Sequence, residues 1–198
     1  MANHLIIGLG GTGGKILCGL RKRIYAETKK KDITGETNLE YLYVDSSMED
    51  LNNKEDWKYM GEPLHLGPAQ KVCIHGISST VMATPHAFPG IESFLPDRDL
   101  ELLKNDTVLS IISTGIGGQR RRFGRMLMAN NISMRDRDNS FDSRLKKLIE
   151  KMTNQGNAAV DFHVCAGLAG GTGSGSIVDV IAQIKKVIAP LGSNFRLF

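Results

Sequence analysis

Short apolar runs alternate with longer amphipathic stretches along the chain. Residues 5–8 (LIIG) form a brief apolar run, after which Ile16, Leu17, Leu20 and Ile24 recur at helical spacing as far as the polar run Lys29-Lys30-Lys31. This pattern predicts a strand followed by a helix. Residues 41–44 predict a second buried strand, closed by Asp45-Ser46-Ser47, and residues 108–113 (VLSIIS) a third. Phe141, Leu145, Leu148, Ile149 and Met152 mark one face of an amphipathic helix whose other face carries Lys146, Lys147 and Glu150. A strand over 160–165 follows, then a helix marked by Ile177, Val180, Ile181, Ile184, Val187 and Ile188. Residues 194–198 begin a further strand. From about 51 to 106 no period is sustained and most of the prolines occur, which predicts loops, short helices and an extra strand near 64–66.

Strands alternating with helices predict an α/β fold, a mostly parallel Rossmann-like sheet with helices on both faces. A length of 198 residues suits one domain over 1–198, with an irregular insertion at about 50–106. Apolar residues at 41% and charged residues at 23% exclude a disordered tail or a fibre. The longest stretch without Asp, Glu, Lys or Arg, residues 72–91, is broken by Pro85 and Pro89 and carries His75 and His86. It is not a membrane-spanning helix. No basic residue precedes the short apolar run at the N-terminus, which argues against a signal peptide. Three widely spaced cysteines, Cys18, Cys73 and Cys165, fit a reducing cytoplasm better than a disulfide framework.

The net charge of +4 is local in origin. Between Gln119 and Lys147 nine basic residues face three acidic ones, a local +6, centred on Arg120-Arg121-Arg122 and Arg125. Such a run is either a solvated face or a source of charge-assisted bonds to an anion. A nucleic-acid module would interleave several aromatics with it, and only Phe123 falls within the run.

Glycine carries most of the functional signal. Of 22 glycines, five lie in residues 8–14, four in 115–124 and five in 167–175. Each window follows a predicted strand, the edge at which open α/β sheets bind ligands. The first window reads GLGGTGGK and matches GxGxxG at Gly8, Gly10 and Gly13. Leu9 and Ile16 exclude a Walker loop, because they replace its first glycine and its Mg²⁺-binding hydroxyl. The third window, AGGTGSGS over 169–176, alternates glycine with small hydroxyl residues and offers convergent N–H and hydroxyl donors. Two such loops on one edge predict a ligand with several phosphates, and Gly115, Gly117 and Gly118 of the middle window could close over it.

GLAGGTGSGS (167–176) resembles the phosphate loop of the tubulin/FtsZ superfamily, and IIGLGGTGGK (6–15) resembles its first nucleotide loop. Val44-Asp45-Ser46-Ser47 sits where that family has its second-strand loop, and residues 115–125 are similar to its γ-phosphate-sensing loop. The resemblance implies a domain that binds GTP or GDP with Mg²⁺, from a protein that self-associates into nucleotide-dependent filaments. It places the α- and β-phosphates on Gly10, Gly11 and Thr12. The β- and γ-phosphates fall on Gly170, Gly171, Thr172, Gly173, Ser174 and Gly175. Asp45 matches an acidic residue near Mg²⁺, acting through water. By residue chemistry alone Asp45 could also bond a ribose hydroxyl or cap the helix after it. Lys15 stands where the cell-division members carry Asn, and Ser47 where tubulins carry an acidic residue. The resemblance also implies a central helix and a second domain beyond Phe198, which supply the purine contacts and the acidic loop that activates water on a neighbouring subunit. No catalytic residue is therefore assigned within this chain.

The competing reading is a Rossmann oxidoreductase domain binding NAD through Gly8, Gly10, Gly13 and Asp45. It leaves the third glycine window without a role, and Asp45 follows Gly13 later than the usual spacing of about 20 residues. Cys73, His75 and His86 lack zinc-site spacing. His163 is expected in the core, and Met126, Met128 and Met134 as packing residues.

Overall fold

Strand β1 (Asn3–Leu9) is the middle of a five-stranded sheet with the order β5-β2-β1-β6-β7. The partners are β2 (Leu39–Asp45), β5 (Lys71–Cys73), β6 (Val160–Ala166) and β7 (Phe195–Leu197), and every pairing is parallel. The computed structural model describes residues 3–31, 38–74, 95–105, 120–133, 138–153, 159–191 and 195–198. The predicted strand at 108–113, together with Gly115, Gly117, Gly118, His75, His86 and Met134, lies outside these residues.

Period-two alternation along the central strands sends side chains into two cores. Leu5, Ile7 and Leu9 join Leu42, Val44 and Phe162 on one face. There they pack against α4 (Arg121–Ser133), α5 (Phe141–Thr153) and α6 (Thr172–Ile188). All five apolar positions predicted for the amphipathic helix are buried on α5. Met126 and Met128 also fill this core. On the other face Tyr41 and Tyr43 meet Leu17 and Cys18 of α1 (Gly10–Thr28), with Leu51, Trp57 and Leu66 closing the cluster. Arg21 is buried on α1, donating to the carbonyls of Leu64 at 2.8 Å and Lys31 at 2.6 Å and lying over the Tyr41 ring.

After β2 come α2 (Met48–Asn52) and a tight hairpin of β3 (Lys58–Tyr59) and β4 (Glu62–Pro63). Its two turn residues, Met60 and Gly61, both have positive φ, which matches the strand twist of a two-residue loop. The extra strand expected near 64–66 is displaced to β5. Leu64 and Leu66 are buried, but the Leu64 N–H bonds back to Trp57 and Pro63 and Pro68 flank the segment without N–H groups to offer a ladder. The short α3 (Asp97–Leu103) precedes α4. His163 departs from expectation too. It is only half-buried, with its Nε2 3.2 Å from His4 Nδ1 and its ring stacked on Phe198. Among the described residues no helix is long and apolar enough to cross a membrane.

Candidate functional site

The strand order reverses at β1, whose chain neighbour β2 lies on one side and β6 on the other, and such a switch point opens a crevice at the carboxyl edge. Here β1 passes into α1 with no loop, since Leu9 ends the strand and Gly10 begins the helix. Gly10 has φ +67°, and a Cβ on it would stand 3.0 Å from the Gly173 nitrogen. A Cβ on Gly173 would in turn stand 2.7 Å from the Leu9 carbonyl oxygen. The starts of α1 and α6 are thus in backbone contact, which only glycine at both positions allows.

Neither helix start has a side-chain cap or an acidic residue in its first turn. First-turn N–H groups have no partner within their own helix, and their partial positive charge attracts anions. Two such ends therefore open on the same side of the sheet.

Between them lies a cleft of about 320 Å³. One wall is Leu9, Gly10, Gly11 and Thr12; a second is Asp45, Ser46, Ser47 and Asp50; the third is Gly167, Gly170, Gly171, Thr172 and Gly173. The glycines on these walls differ in what excludes a side chain. Gly13, just beyond, supports the turn: a Cβ there would lie 2.6 Å from the Gly8 carbonyl carbon and 2.7 Å from the Cys165 oxygen. A Cβ on Gly11 or Gly170 would meet nothing within 4 Å, so those two face open space.

Most residues predicted for the site converge here: Gly10, Gly11, Thr12, Asp45, Gly170, Gly171, Thr172 and Gly173. Ser174 and Gly175 do not line the cleft. They fall in the first turn of α6, where the Ser174 hydroxyl donates back to the Gly170 carbonyl and Gly175 faces α4, closed off by the Arg121 carbonyl and by the Arg125 nitrogen at 2.8 Å. Gly124 answers it, packed on the backbone of Gly171. These glycines serve helix contact.

Asp45 is 3% exposed and held from three sides. Its Oδ1 accepts the N–H groups of Ser46 at 2.7 Å and Ser47 at 3.2 Å, and its Oδ2 accepts the Tyr43 hydroxyl at 2.8 Å. Burial raises its pKa above the usual carboxylate value, and these bonds oppose the rise. Burial and the adjacent Asp45 carboxylate raise the Tyr43 phenol as well. The cap of α2 is Ser47, whose side chain accepts the Asp50 N–H at 3.1 Å, so Asp45 has no capping role. Ser46 reaches across the end of β1, its hydroxyl 2.8 Å from that of Thr172.

The arginines divide. Arg122 pairs with buried Asp99 at 2.7 Å and Arg125 with Asp179 at 3.2 Å. Arg121 donates to the Leu168 carbonyl at 2.8 Å, next to the third wall, and Arg120 lies over the Phe123 ring. No cluster of three His, Cys, Asp or Glu side chains suited to a metal occurs among the described residues. Any cation at the cleft would therefore be held by few protein oxygens together with water or ligand oxygens.

Sequence reasoning named Ser46 and Ser47 within the loop after the second strand without giving them a site role and passed over Asp50, although their place just after a predicted strand was the available signal. A family model described as tubulin-like matches residues 5–198, whereas no curated protein and no solved structure matches the chain. The chain belongs to the tubulin-like family.

Proposed function

We propose that this chain is a nucleotide-binding domain that takes GTP or GDP with Mg²⁺ in the cleft between α1 and α6. The observation that carries the reading is the pair of uncapped helix starts, in backbone contact through Gly10 and Gly173, that open on one polar cleft. Donors from two elements suit a chain of phosphates better than a single anion. Gly10, Gly11 and Thr12 would receive the α- and β-phosphates, and Gly170, Gly171, Thr172 and Gly173 the β- and γ-phosphates.

The residues present fit a magnesium ion. Asp45 is buried, ionisable and already accepts three hydrogen bonds, which leaves it little free capacity beyond one lone pair on Oδ2. That suits a small cation that keeps most of its water and takes further oxygens from phosphate. Bound there, magnesium would neutralise phosphate charge, while Asp45, with Ser47 and Asp50 nearby, would orient its water shell.

Membership of the tubulin-like family supports nucleotide-dependent self-association into filaments as the protein's role. Hydrolysis would then need a neighbouring subunit. Three widely spaced cysteines, Cys18, Cys73 and Cys165, favour a reducing, cytoplasmic setting over a disulfide framework. An NAD site gains no support from the family match, and it gives the Gly170–Gly173 wall nothing to hold.

Calorimetric titration of GTP, GDP, ATP and NAD with Mg²⁺ into the wild-type chain and a Gly170→Val variant tests this. Gly170 is chosen because its side-chain space is open, so the variant folds while its isopropyl group enters the cleft. Guanine nucleotide binding that weakens in the variant supports the reading. NAD binding indifferent to the substitution contradicts it.

A further inference from the structure

Tyr43 is a buried phenol for which neither the family nor the glycine loops supply a role. It lies on β2 two residues before Asp45, so both side chains leave the same face of the strand. Its ring is fixed on both sides. A Cβ on Gly14 of α1 would stand 2.5 Å from Tyr43 Cζ and 2.6 Å from its hydroxyl oxygen, and the Trp57 ring lies 6.4 Å away, centroid to centroid. Gly14 thus leaves the space that the end of the phenol occupies.

The hydroxyl held in this way is 2.8 Å from Asp45 Oδ2. Asp45 Oδ1 accepts two backbone N–H groups from the turn after β2. Those two bonds fix one oxygen, but rotation about the carboxylate axis is stopped only when the second oxygen is bound as well. Tyr43 is the side chain that binds it.

We propose that Tyr43 is a positioning residue for the cation end of the cleft: its hydroxyl locks Asp45 so that the remaining lone pair of Oδ2 faces the water shell of a bound divalent ion. This rests on the nucleotide reading above and adds to it the residue that sets the Mg²⁺ requirement. Residues that orient a direct metal ligand alter metal affinity about 10–100-fold when lost; Tyr43 acts one step further out, on a carboxylate that reaches the ion through water, so the lower end of that range applies. Tyr43→Phe removes the oxygen alone and leaves the ring between Gly14 and Trp57.

The test measures the affinity of the chain for a fluorescent GDP analogue in EDTA and across a Mg²⁺ titration, for wild type, Tyr43→Phe, Asp45→Asn and the double variant. The expected result is unchanged affinity in EDTA and a Mg²⁺ midpoint raised about tenfold in Tyr43→Phe. In the Asp45→Asn background the second substitution should move the midpoint no further. A phenol that merely packs would lower EDTA affinity or thermal stability and leave the midpoint in place, and that outcome overturns the proposal while nucleotide binding stands. Failure of the wild-type chain to bind the analogue under any condition overturns the nucleotide reading and this proposal together.

Discussion

The hydroxyl oxygens of Ser46 and Thr172 lie 2.8 Å apart, although 126 residues separate them in the chain. Ser46 follows β2 and Thr172 opens α6, so their contact bridges the end of β1 and ties the second and third walls of the cleft together. Both residues are buried. The contact is therefore both a structural tie and a floor for whatever the cleft holds. In a double-mutant cycle of Ser46→Ala and Thr172→Val, followed by urea denaturation, the coupling energy should be about 0.5–1.5 kcal/mol, that of a buried neutral hydrogen bond. Additive effects would show that the two hydroxyls act independently.

The glycines should separate into two classes on substitution. Gly13→Ala places a Cβ 2.6 Å from Gly8 and 2.7 Å from the Cys165 oxygen, against backbone that cannot turn aside. It should cost about 1–3 kcal/mol or more. Gly11→Ala meets nothing within 4 Å at a position inside α1, where alanine is the better helix former. Its stability should equal or exceed that of wild type by up to about 1 kcal/mol, while nucleotide affinity falls. Thermal melts paired with ligand titration check both halves.

Stability should fall in acid through Asp142. This buried carboxylate on α5 accepts Lys146 at 2.7 Å and the Gln183 amide of α6. Burial alone would raise its pKa, but the bonds from Lys146 and Gln183 outweigh burial and hold it below the ordinary value. A carboxylate depressed in the folded state stabilises the fold fully above its unfolded pKa of about 3.9, and that contribution is lost as pH falls through the folded value. Urea midpoints measured from pH 7 down to pH 2.5 should decline more steeply for wild type than for Asp142→Asn. Parallel declines would remove Asp142 from the acid response.

Arg120 and Arg122 stand two positions apart in the sequence and should behave differently. Arg122→Ala leaves Asp99, 5% exposed, without its 2.7 Å partner, and should destabilise the fold by about 1–3 kcal/mol. Arg120 is exposed and, among the described residues, its side chain makes one long contact, 5.8 Å to the Phe123 ring centroid, so Arg120→Ala should stay within about 0.5 kcal/mol of wild type. Chemical denaturation of the two variants side by side distinguishes them.

The main sheet was legible in the sequence because β1 and β2 read as unbroken apolar runs at 5–8 and 41–44, while β6 alternates Val160, Phe162 and Val164 with Asp161 and His163 at strand period. The amphipathic stripe of α5 was equally clear, since one helix face packs and the other is solvated. Strand β5 was not legible. Three residues carry no period, and the buried Leu64 and Leu66 nearby form the stronger apolar signal without pairing. The cleft was legible as a clustering of glycines, but its internal division was not. Gly173 and Gly175 look alike in a run of alternating small residues, yet helical rotation turns the first toward the cleft and the second into α4. The Tyr43–Asp45 bond had a signal, two polar groups at strand period, that apolar patterning passes over.

The most direct measurement is a crystal structure of the chain with a non-hydrolysable GTP analogue and Mg²⁺. The expected result places the phosphates within hydrogen-bond distance of the N–H groups of Gly10–Thr12 and Gly170–Gly173, with the ion on the Asp45 side. A nucleotide bound elsewhere, or phosphates outside the cleft between α1 and α6, would contradict it.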